Sequence, residues 1–188
     1  MGNKQLVKLN KSWTLFLDRD GVINHRLKDD YVKNWSEFQF EPGVLEAIAS
    51  FSKVFGRIFV VTNQQGIGKN IMSEDDLLNI HHKMLAKIEA ADGKIDRVYC
   101  CPHLRTDDCN CRKPRIGMAL QAKEDFPEID FSRSVMVGDT PSDIEFGKRA
   151  GMHTVFISKE ENPPPHTEFH FPSLHAFAKY LAEILHQD

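Results

Sequence analysis

The sequence of 188 residues lacks any apolar stretch approaching the ~20 residues that a membrane-spanning helix needs. Its first apolar run, residues 13–17, is cut short by Asp18 and is too short for the hydrophobic region of a signal peptide. No run of Lys or Arg is present and the formal net charge is −3, so the composition does not favour nucleic acid as a partner. We expect a cytoplasmic monomer that binds neither membranes nor nucleic acid.

Cysteine is absent outside a single short segment, residues 100–111. A disulfide framework would spread its cysteines to join distant segments, whereas this clustering favours a metal site. Three thiols and one imidazole suit a tetrahedral zinc ion, and four protein ligands leave no open position, so the zinc would be structural. Reduced thiols beside a surface His are the alternative. The predicted zinc ligands are Cys101, His103, Cys109 and Cys111, and Cys100, on the opposite side of a strand, is expected to pack in the core.

Short apolar runs alternate with helical patterns along the chain, which predicts an α/β protein with a central parallel sheet and helices on both faces. The length suits one domain, residues 1–188. Helix starts are indicated by Pro42, Ser73, Pro114 and Pro141, and a last helix by residues 173–185. The predicted strands are residues 13–17, 58–61, 97–100, 134–137 and 154–157.

Two segments carry no helix or strand pattern. Residues 21–41 form a long polar excursion after the first strand. Residues 160–172 contain three consecutive prolines and are predicted to be a surface connection to the last helix.

The most informative segment is Asp18-Arg19-Asp20-Gly21, at the end of the first strand. Residues two apart in an extended chain project to the same side, so both carboxylates would enter one pocket. Their mutual repulsion should raise one pKa. We expect Asp18 to stay ionised and attack phosphorus, and Asp20 to be protonated and act as the general acid and base.

Further polar residues follow the other strands, where ligands of a parallel sheet bind. Asp139 is placed to share a Mg²⁺ ion with Asp18 and the backbone carbonyl of Asp20, because Mg²⁺ prefers hard oxygen ligands. Asp143 is interpreted equally as a solvated acid in a first helical turn or as support for this site. Phosphate oxygens are expected to contact the hydroxyl and amides of Thr62, Asn63, Gln64 and Gln65 and the ammonium of Lys113.

These segments together resemble the four motifs of the haloacid-dehalogenase-like hydrolases, over residues 14–157. Thr62-Asn63-Gln64-Gln65-Gly66-Ile67 and Cys111-Arg112-Lys113-Pro114 are similar to the branch that contains the D-glycero-D-manno-heptose 1,7-bisphosphate 7-phosphatases and the histidinol-phosphate phosphatases. The resemblance implies a magnesium-dependent phosphatase with an aspartyl-phosphate intermediate and a Rossmann-like fold without a large cap domain. It also implies an active-site flap at residues 21–41 and a zinc loop at residues 101–111.

The resemblance leaves the small phosphorylated substrate open between two compounds. The His103-to-Cys109 spacing is similar to the histidinol phosphatases, whereas Asn24 and the flap sequence are similar to the heptose enzymes, which we favour. Arg112, Arg26 and Lys28 are candidates for binding the second phosphate of a heptose bisphosphate. Thr140 departs from the Lys expected in the heptose enzymes. A nucleic-acid 3′-phosphatase and a zinc module without activity are further alternatives.

Overall fold

The computed structural model describes residues 9–185, and these form one parallel sheet flanked by helices. All five neighbouring strand pairs are parallel, in the spatial order β3-β2-β1-β4-β5-β6. The strands are β1 (Thr14–Leu17), β2 (Arg57–Asn63), β3 (Arg97–Cys101), β4 (Ser134–Gly138), β5 (His153–Ile157) and β6 (Phe169–Phe171). The predicted α/β class and parallel sheet are confirmed.

The helices cover both faces of the sheet, as predicted. They are α1 (Val44–Val54), α2 (Gln65–Gly68), α3 (Glu74–Glu89), α4 (Gly117–Asp125), α5 (Pro141–Ala150) and α6 (Leu174–Leu185). Alternate strand residues point to opposite faces, so Leu15 packs with α1, α3 and α6, whereas Phe16 packs with α4 and α5. Within residues 9–185, no helix combines the length and apolar character needed to cross a bilayer.

Local sequence explains where two of these helices begin. The Ser73 hydroxyl accepts from the backbone amide of Asp76 and the Asp76 carboxylate accepts from that of Ser73, which forms a capping box at α3. Helix α5 has Pro141 in its first turn and ends at Gly151, whose φ of 81° lies in the left-handed region that glycine tolerates. The predicted starts at Ser73 and Pro141 are confirmed.

Two elements were not predicted. Strand β6 lies inside residues 160–172, where only a connection was expected, because three residues are too few to show an alternating pattern. The four-residue helix α2 follows β2 directly. The segment 21–41 contains only a 3-10 turn, Trp35–Glu37, and isolated bridges, so the described chain carries no large cap domain.

The strand order brings three strand ends together. Strand β1 lies between β2 and β4, and the chain order reverses at β1, where β2 and β3 lie on one side and β4, β5 and β6 on the other. Ligands of open parallel sheets bind at such a switch point, beyond the carboxyl ends of the strands. Asp18, Thr62 and Asp139 therefore meet at one edge of the sheet.

Candidate active site

A buried lysine joins two buried carboxylates at the centre of this edge. Lys113 Nζ lies 2.7 Å from Asp18 Oδ1 and 2.7 Å from Asp143 Oδ1, and it donates to the carbonyl oxygen of Val61. All three charged side chains are almost completely inaccessible. Burial lowers the pKa of Lys113, but the negative charges of Asp143 and Asp18 raise it by more. The net pKa is therefore raised, and the ammonium stays charged. Lys113 thus lies beside the predicted nucleophile and is not a solvated surface residue.

Asp143 has a structural role as well as this charge pair. Its Oδ2 accepts from the backbone amide of Thr140 at 3.0 Å and from the Thr140 hydroxyl at 2.5 Å, which closes the capping box of α5. The interpretation of Asp143 as a solvated first-turn acid is wrong, because it is fully buried. It supports the site through Lys113.

Without a bound cation, the charges around Asp18 and Asp20 oppose the protonation states that we expect for catalysis. Burial, with the charge of Asp143, raises the pKa of Asp18 to about 8. Burial also raises the pKa of Asp20, but Arg19 outweighs it and the net pKa is lowered. Asp18 faces the carboxylates of Asp143 and Asp139, and its ionisation in the catalytic complex stays a prediction. A divalent cation at Asp18 would favour its ionised form again.

The Asp20 carboxylate is surrounded by three hydrogen-bond donors. Arg19 Nη2 and Asn24 Nδ2 both donate to Oδ1 at 2.9 Å, and Gln64 Nε2 donates to Oδ2 at 2.8 Å. A carboxylate that accepts several hydrogen bonds is held in one orientation and in its ionised form. These contacts turn the Asp20 side chain away from the acidic cluster, so only its backbone carbonyl, as predicted, remains for a metal.

Three carboxylates form a group that can hold a cation. Ligand oxygens of Asp18, Asp139 and Asp143 all lie within 4.8 Å of one another. Asp139 Oδ1 is buried and has no hydrogen-bond partner among the described residues, whereas Asp139 Oδ2 accepts from Arg26 Nη1 at 2.6 Å. Burial raises the pKa of Asp139 to about 6 against the opposing charge of Arg26. A buried carboxylate oxygen without a donor, beside further hard oxygens, fits Mg²⁺.

Gly21 allows the close approach of the first and fourth strand ends. Its φ is 92°, and a Cβ atom at this position would lie 2.1 Å from Asp139 Oδ2. Any other residue would clash with this carboxylate and would also strain the backbone. The glycine of the Asp-Gly pair thus makes room for Asp139.

The loop after β2 divides into residues that line the reaction pocket and residues that support it. Thr62 and Asn63 line a pocket of about 40 Å³ together with Asp18 and Lys113. Asn63 Oδ1 accepts from the backbone amide of Lys113 at 3.0 Å, and its Nδ2 donates to the carbonyl oxygen of that residue at 3.2 Å. The two loops are therefore joined by a reciprocal pair of hydrogen bonds.

Two residues of this loop that were predicted to bind phosphate form hydrogen bonds with other protein groups instead. Gln64 Nε2 donates to Thr62 Oγ1 as well as to Asp20, and Gln65 Oε1 accepts from the backbone amide of Arg105. Neither glutamine lines the pocket that contains Asp18. Both side chains stabilise the loop through these hydrogen bonds, which use the groups that were predicted to contact phosphate.

Of the three cationic side chains predicted to bind the second phosphate, one lines the reaction pocket and one lines a neighbouring cavity. Arg26 lines the reaction pocket, whereas Lys28 is exposed and lines neither this pocket nor its neighbour. Arg112 lines a second cavity of about 230 Å³ that adjoins the first through Asn63, Lys113 and Ser142. Four arginines line that cavity, namely Arg105, Arg112, Arg115 and Arg149.

The four predicted metal ligands of the cysteine segment converge. The Cys101 and Cys111 sulfurs are 3.0 Å apart, Cys101 and Cys109 are 3.5 Å apart, and His103 Nδ1 lies 3.2 Å from the Cys111 sulfur. Sulfurs bound to one tetrahedral zinc ion lie ~3.7 Å apart, so the spacing and the ligand types fit zinc. The prediction for Cys100 is wrong, because this residue is exposed near the end of the edge strand β3.

Sequence reasoning missed the two residues behind Asp20. The sequence shows no acidic or sulfur partner near His81 and His82, which favours solvated surface for both. In the structure, however, His81 is 7% exposed and its Nε2 lies 3.2 Å from Arg19 Nη1. Its position in the sequence carried the signal, since His81 follows Leu77 by four residues and precedes Met84 by three, on the core stripe of α3. Its neighbour His82 is exposed, as expected.

Comparisons with known proteins agree with this geometry. Residues 110–184 match the HAD-hydrolase-like family. The chain is 42% identical over 133 residues to the D-glycero-α-D-manno-heptose-1,7-bisphosphate 7-phosphatase of Mycobacterium bovis, covering 71% of this chain and 70% of that protein. It is 38% identical over 144 residues to the corresponding β-heptose enzyme of Rhodopseudomonas palustris, covering 73% and 78%.

A solved structure is similar over almost the whole chain. The D,D-heptose 1,7-bisphosphate phosphatase from B. bronchiseptica, complexed with magnesium and phosphate, superposes with a TM-score of 0.82 at 28% identity. The superposition covers 91% of this chain and 98% of that protein. The similarity therefore extends beyond the motifs to the whole sheet and its helices.

Proposed function

The chain belongs to the haloacid-dehalogenase-like hydrolases, among the heptose 1,7-bisphosphate 7-phosphatases, and from this membership we propose that it hydrolyses the 7-phosphate of D-glycero-D-manno-heptose 1,7-bisphosphate. The relatives include enzymes named for the α and the β anomer, and the proposal covers both. The alternatives of a histidinol phosphatase and a nucleic-acid phosphatase are less well supported by the site.

The proposed reaction has two steps. An Asp18 carboxylate oxygen attacks phosphorus, the bond from phosphorus to the sugar oxygen breaks, and Asp20 supplies the proton for that oxygen. Asp20 then takes a proton from a water molecule, whose oxygen attacks the aspartyl-phosphate and releases inorganic phosphate and Asp18. The incoming phosphate dianion raises the proton affinity of the nearby Asp20, which is ionised in the free protein.

Two metal ions belong to the proposal. Asp18, Asp139 and the Asp20 carbonyl would hold Mg²⁺, which supplies positive charge between two anions that otherwise repel each other. Cys101, His103, Cys109 and Cys111 would hold a structural zinc ion. The metals are supported by the donor sets, namely hard oxygens in one cluster and three thiols with one imidazole in the other.

The organisation proposed for the chain follows from these sites. Residues 1–188 would form one domain, in which the flap 21–41 carries Arg26 to the reaction pocket and the loop 101–111 holds zinc. A cytoplasmic location is supported by four unpaired thiols, three of which are in the metal cluster.

The arginine-lined cavity is the observation that carries the choice of substrate. A bisphosphate needs a second anion site at a fixed distance from the first, and the cavity shares Asn63, Lys113 and Ser142 with the reaction pocket. Guanidinium groups bind phosphate through paired hydrogen bonds. Histidinol phosphate would instead bring an ammonium group to this cavity, and four arginines with one acid, Asp108, disfavour that charge.

The test is a comparison of three substrates at one Mg²⁺ concentration. We expect kcat/KM to be highest for heptose 1,7-bisphosphate, at least about 10-fold lower for heptose 7-phosphate, and lowest for histidinol phosphate. The expected difference arises because charge-assisted hydrogen bonds to the second phosphate contribute about 1.5–3 kcal/mol. Arg112→Ala should remove most of the advantage of the bisphosphate and leave the monophosphate unaffected.

The matched control is Arg133→Ala, which removes an exposed arginine from the opposite end of the sheet. Arg133→Ala should leave kcat/KM unchanged for all three substrates. A preference of the wild type for histidinol phosphate, or equal effects of Arg112→Ala on the mono- and bisphosphate, would contradict the proposed substrate.

A further inference from the structure

The residue between the two catalytic aspartates in the chain is a completely buried arginine. Arg19 has no accessible surface, and it is the largest of the fully buried side chains. Its Nη2 donates to Asp20 and its Nη1 to His81, while Nε is buried without a partner among the described residues. Burying a guanidinium with an unsatisfied donor destabilises the fold, so stability alone does not account for this placement.

The contact between Arg19 and His81 fixes the chemical form of the imidazole. A guanidinium has five donors and no acceptor, so His81 Nε2 must offer a lone pair and the proton must sit on Nδ1. Burial and the neighbouring charge of Arg19 lower the pKa of His81 to about 3, which keeps the ring neutral. His81 is therefore an acceptor that ties the guanidinium to helix α3.

The other end of the guanidinium determines which oxygen of Asp20 can carry a proton. Oδ1 accepts from Arg19 and from Asn24, whereas Oδ2 accepts only from Gln64. With two donors already on Oδ1, the free lone pair for a transferable proton is on Oδ2. A general acid needs this oxygen held toward the leaving group, since small displacements reduce proton transfer.

We infer that His81 is a positioning residue for the reaction: through Arg19 it holds the Asp20 carboxyl group so that Oδ2 faces the leaving oxygen. The inference rests on the proposed phosphatase activity and adds a residue of α3, 61 positions from Asp20 in the chain, to the machinery. In the step that His81 serves, the bond from phosphorus to the leaving oxygen breaks while a proton moves from Asp20 Oδ2 to that oxygen.

The test uses leaving groups of different basicity. A sugar alkoxide needs a proton as it leaves, whereas p-nitrophenolate leaves without one, so a misplaced acid harms only the first reaction. In His81→Leu we expect kcat on heptose 1,7-bisphosphate to fall by about 100-fold, the usual contribution of a positioned acid. The kcat on p-nitrophenyl phosphate should fall less than about threefold, with KM unchanged for both substrates.

Two further variants separate positioning from stability. His81→Gln keeps an oxygen that can accept from Arg19, and should restore most of the lost activity on the sugar phosphate. His82→Leu removes the exposed neighbouring imidazole on the same helix and should change neither substrate. If His81→Leu does not fold, Arg19→Lys serves in its place, because one ammonium cannot reach both partners, and it should show the same selective loss.

The outcomes distinguish the inference from the function beneath it. A wild-type protein that hydrolyses neither substrate would overturn both. A wild type active on both, with equal losses in His81→Leu or Arg19→Lys, would overturn the positioning role alone. Nitrogen-15 NMR offers a readout independent of activity: a His81 ring protonated on Nε2 at neutral pH would also overturn it.

Discussion

Arg26 donates to Asp139 at 2.6 Å, joining the flap to the end of β4 across 113 positions of sequence. Asp139 is also the carboxylate proposed to bind Mg²⁺, so the guanidinium and the metal ion compete for one negative charge. The pair is half exposed on the arginine side, and pairs of this kind contribute about 1 kcal/mol or less. The competition is therefore modest and measurable.

Removing Arg26 should strengthen Mg²⁺ binding to the substrate-free protein. We expect Arg26→Ala to lower the Mg²⁺ dissociation constant by about two- to fivefold, corresponding to that pair energy. Isothermal titration calorimetry measures it directly. Lys28→Ala removes a cation from the same flap that has no contact with Asp139, and a similar effect of this control would contradict competition at Asp139.

Replacing the nucleophile should abolish turnover without unfolding the protein. Asp18→Asn cannot form an acyl-phosphate, whereas Lys113 keeps its second carboxylate partner, Asp143. Mass spectrometry of the quenched wild-type reaction should detect a phosphoryl group on Asp18, and the variant should show none. Near-normal hydrolysis by Asp18→Asn would exclude the covalent mechanism.

Lys113 should matter for stability as well as for phosphate binding. Lys113→Met leaves Asp18 and Asp143 buried without their cation, and breaking such pairs costs about 3–5 kcal/mol. Urea denaturation should detect this loss. Adding Asp143→Asn removes one of the two buried carboxyl groups left without a cation, so the double variant should be more stable than Lys113→Met. A double variant that is less stable would contradict the charge argument.

Zinc should be present at about one ion per chain and should resist mild chelation at neutral pH. Cys109→Ser should lose the metal and lower the stability of the protein, since it removes one of four converging ligands. Cys100→Ser is the matched control, because it removes the adjacent thiol outside the cluster and should retain zinc. Metal analysis that finds no zinc in folded, active protein would refute the site.

His81 should make the protein less stable as the pH falls from about 6.5 towards 3. Its pKa is lowered to about 3 in the folded state, so between these values the unfolded chain binds a proton that the folded protein does not. The free energy of unfolding at pH 5 should be about 2 kcal/mol lower than at pH 7 because of His81. In His81→Gln the side chain cannot titrate, so urea denaturation should show a fall in this free energy that is smaller by the same amount. An unchanged pH dependence would mean that His81 is protonated in the fold.

The parts of the fold that could be predicted are those with a strong local pattern. Strand β1 is a continuous apolar run ended by Asp18, and two helix starts are identified by the N-cap residue Ser73 and by Pro141, the first residue of α5. Strand β6 has three residues and no such pattern, and only its pairing with β5 makes it a strand. Local sequence carries no information about that partner.

The site shows the same division between local and distant causes. The presence of Asp18, Thr62 and Asp139 at one edge follows from the strand ends, and the convergence of the cysteines follows from their spacing. The raised pKa of Asp18 in the metal-free protein could not be predicted from local sequence, because it depends on burial and on Asp143, 125 positions away. His81 was missed because its partner, Arg19, follows β1 and lies 62 positions away in the chain.

The clash at Gly21 has a consequence for anyone who alters this protein. Replacing glycines by alanine is a common way to raise thermal stability, since it reduces the freedom of the unfolded chain. At position 21 the added methyl group would have to share space with Asp139 Oδ2. A variant made by this route would therefore displace Asp139, the carboxylate proposed to bind Mg²⁺, whereas the same exchange at Gly151, where a Cβ meets nothing within 4 Å, is limited by backbone strain alone.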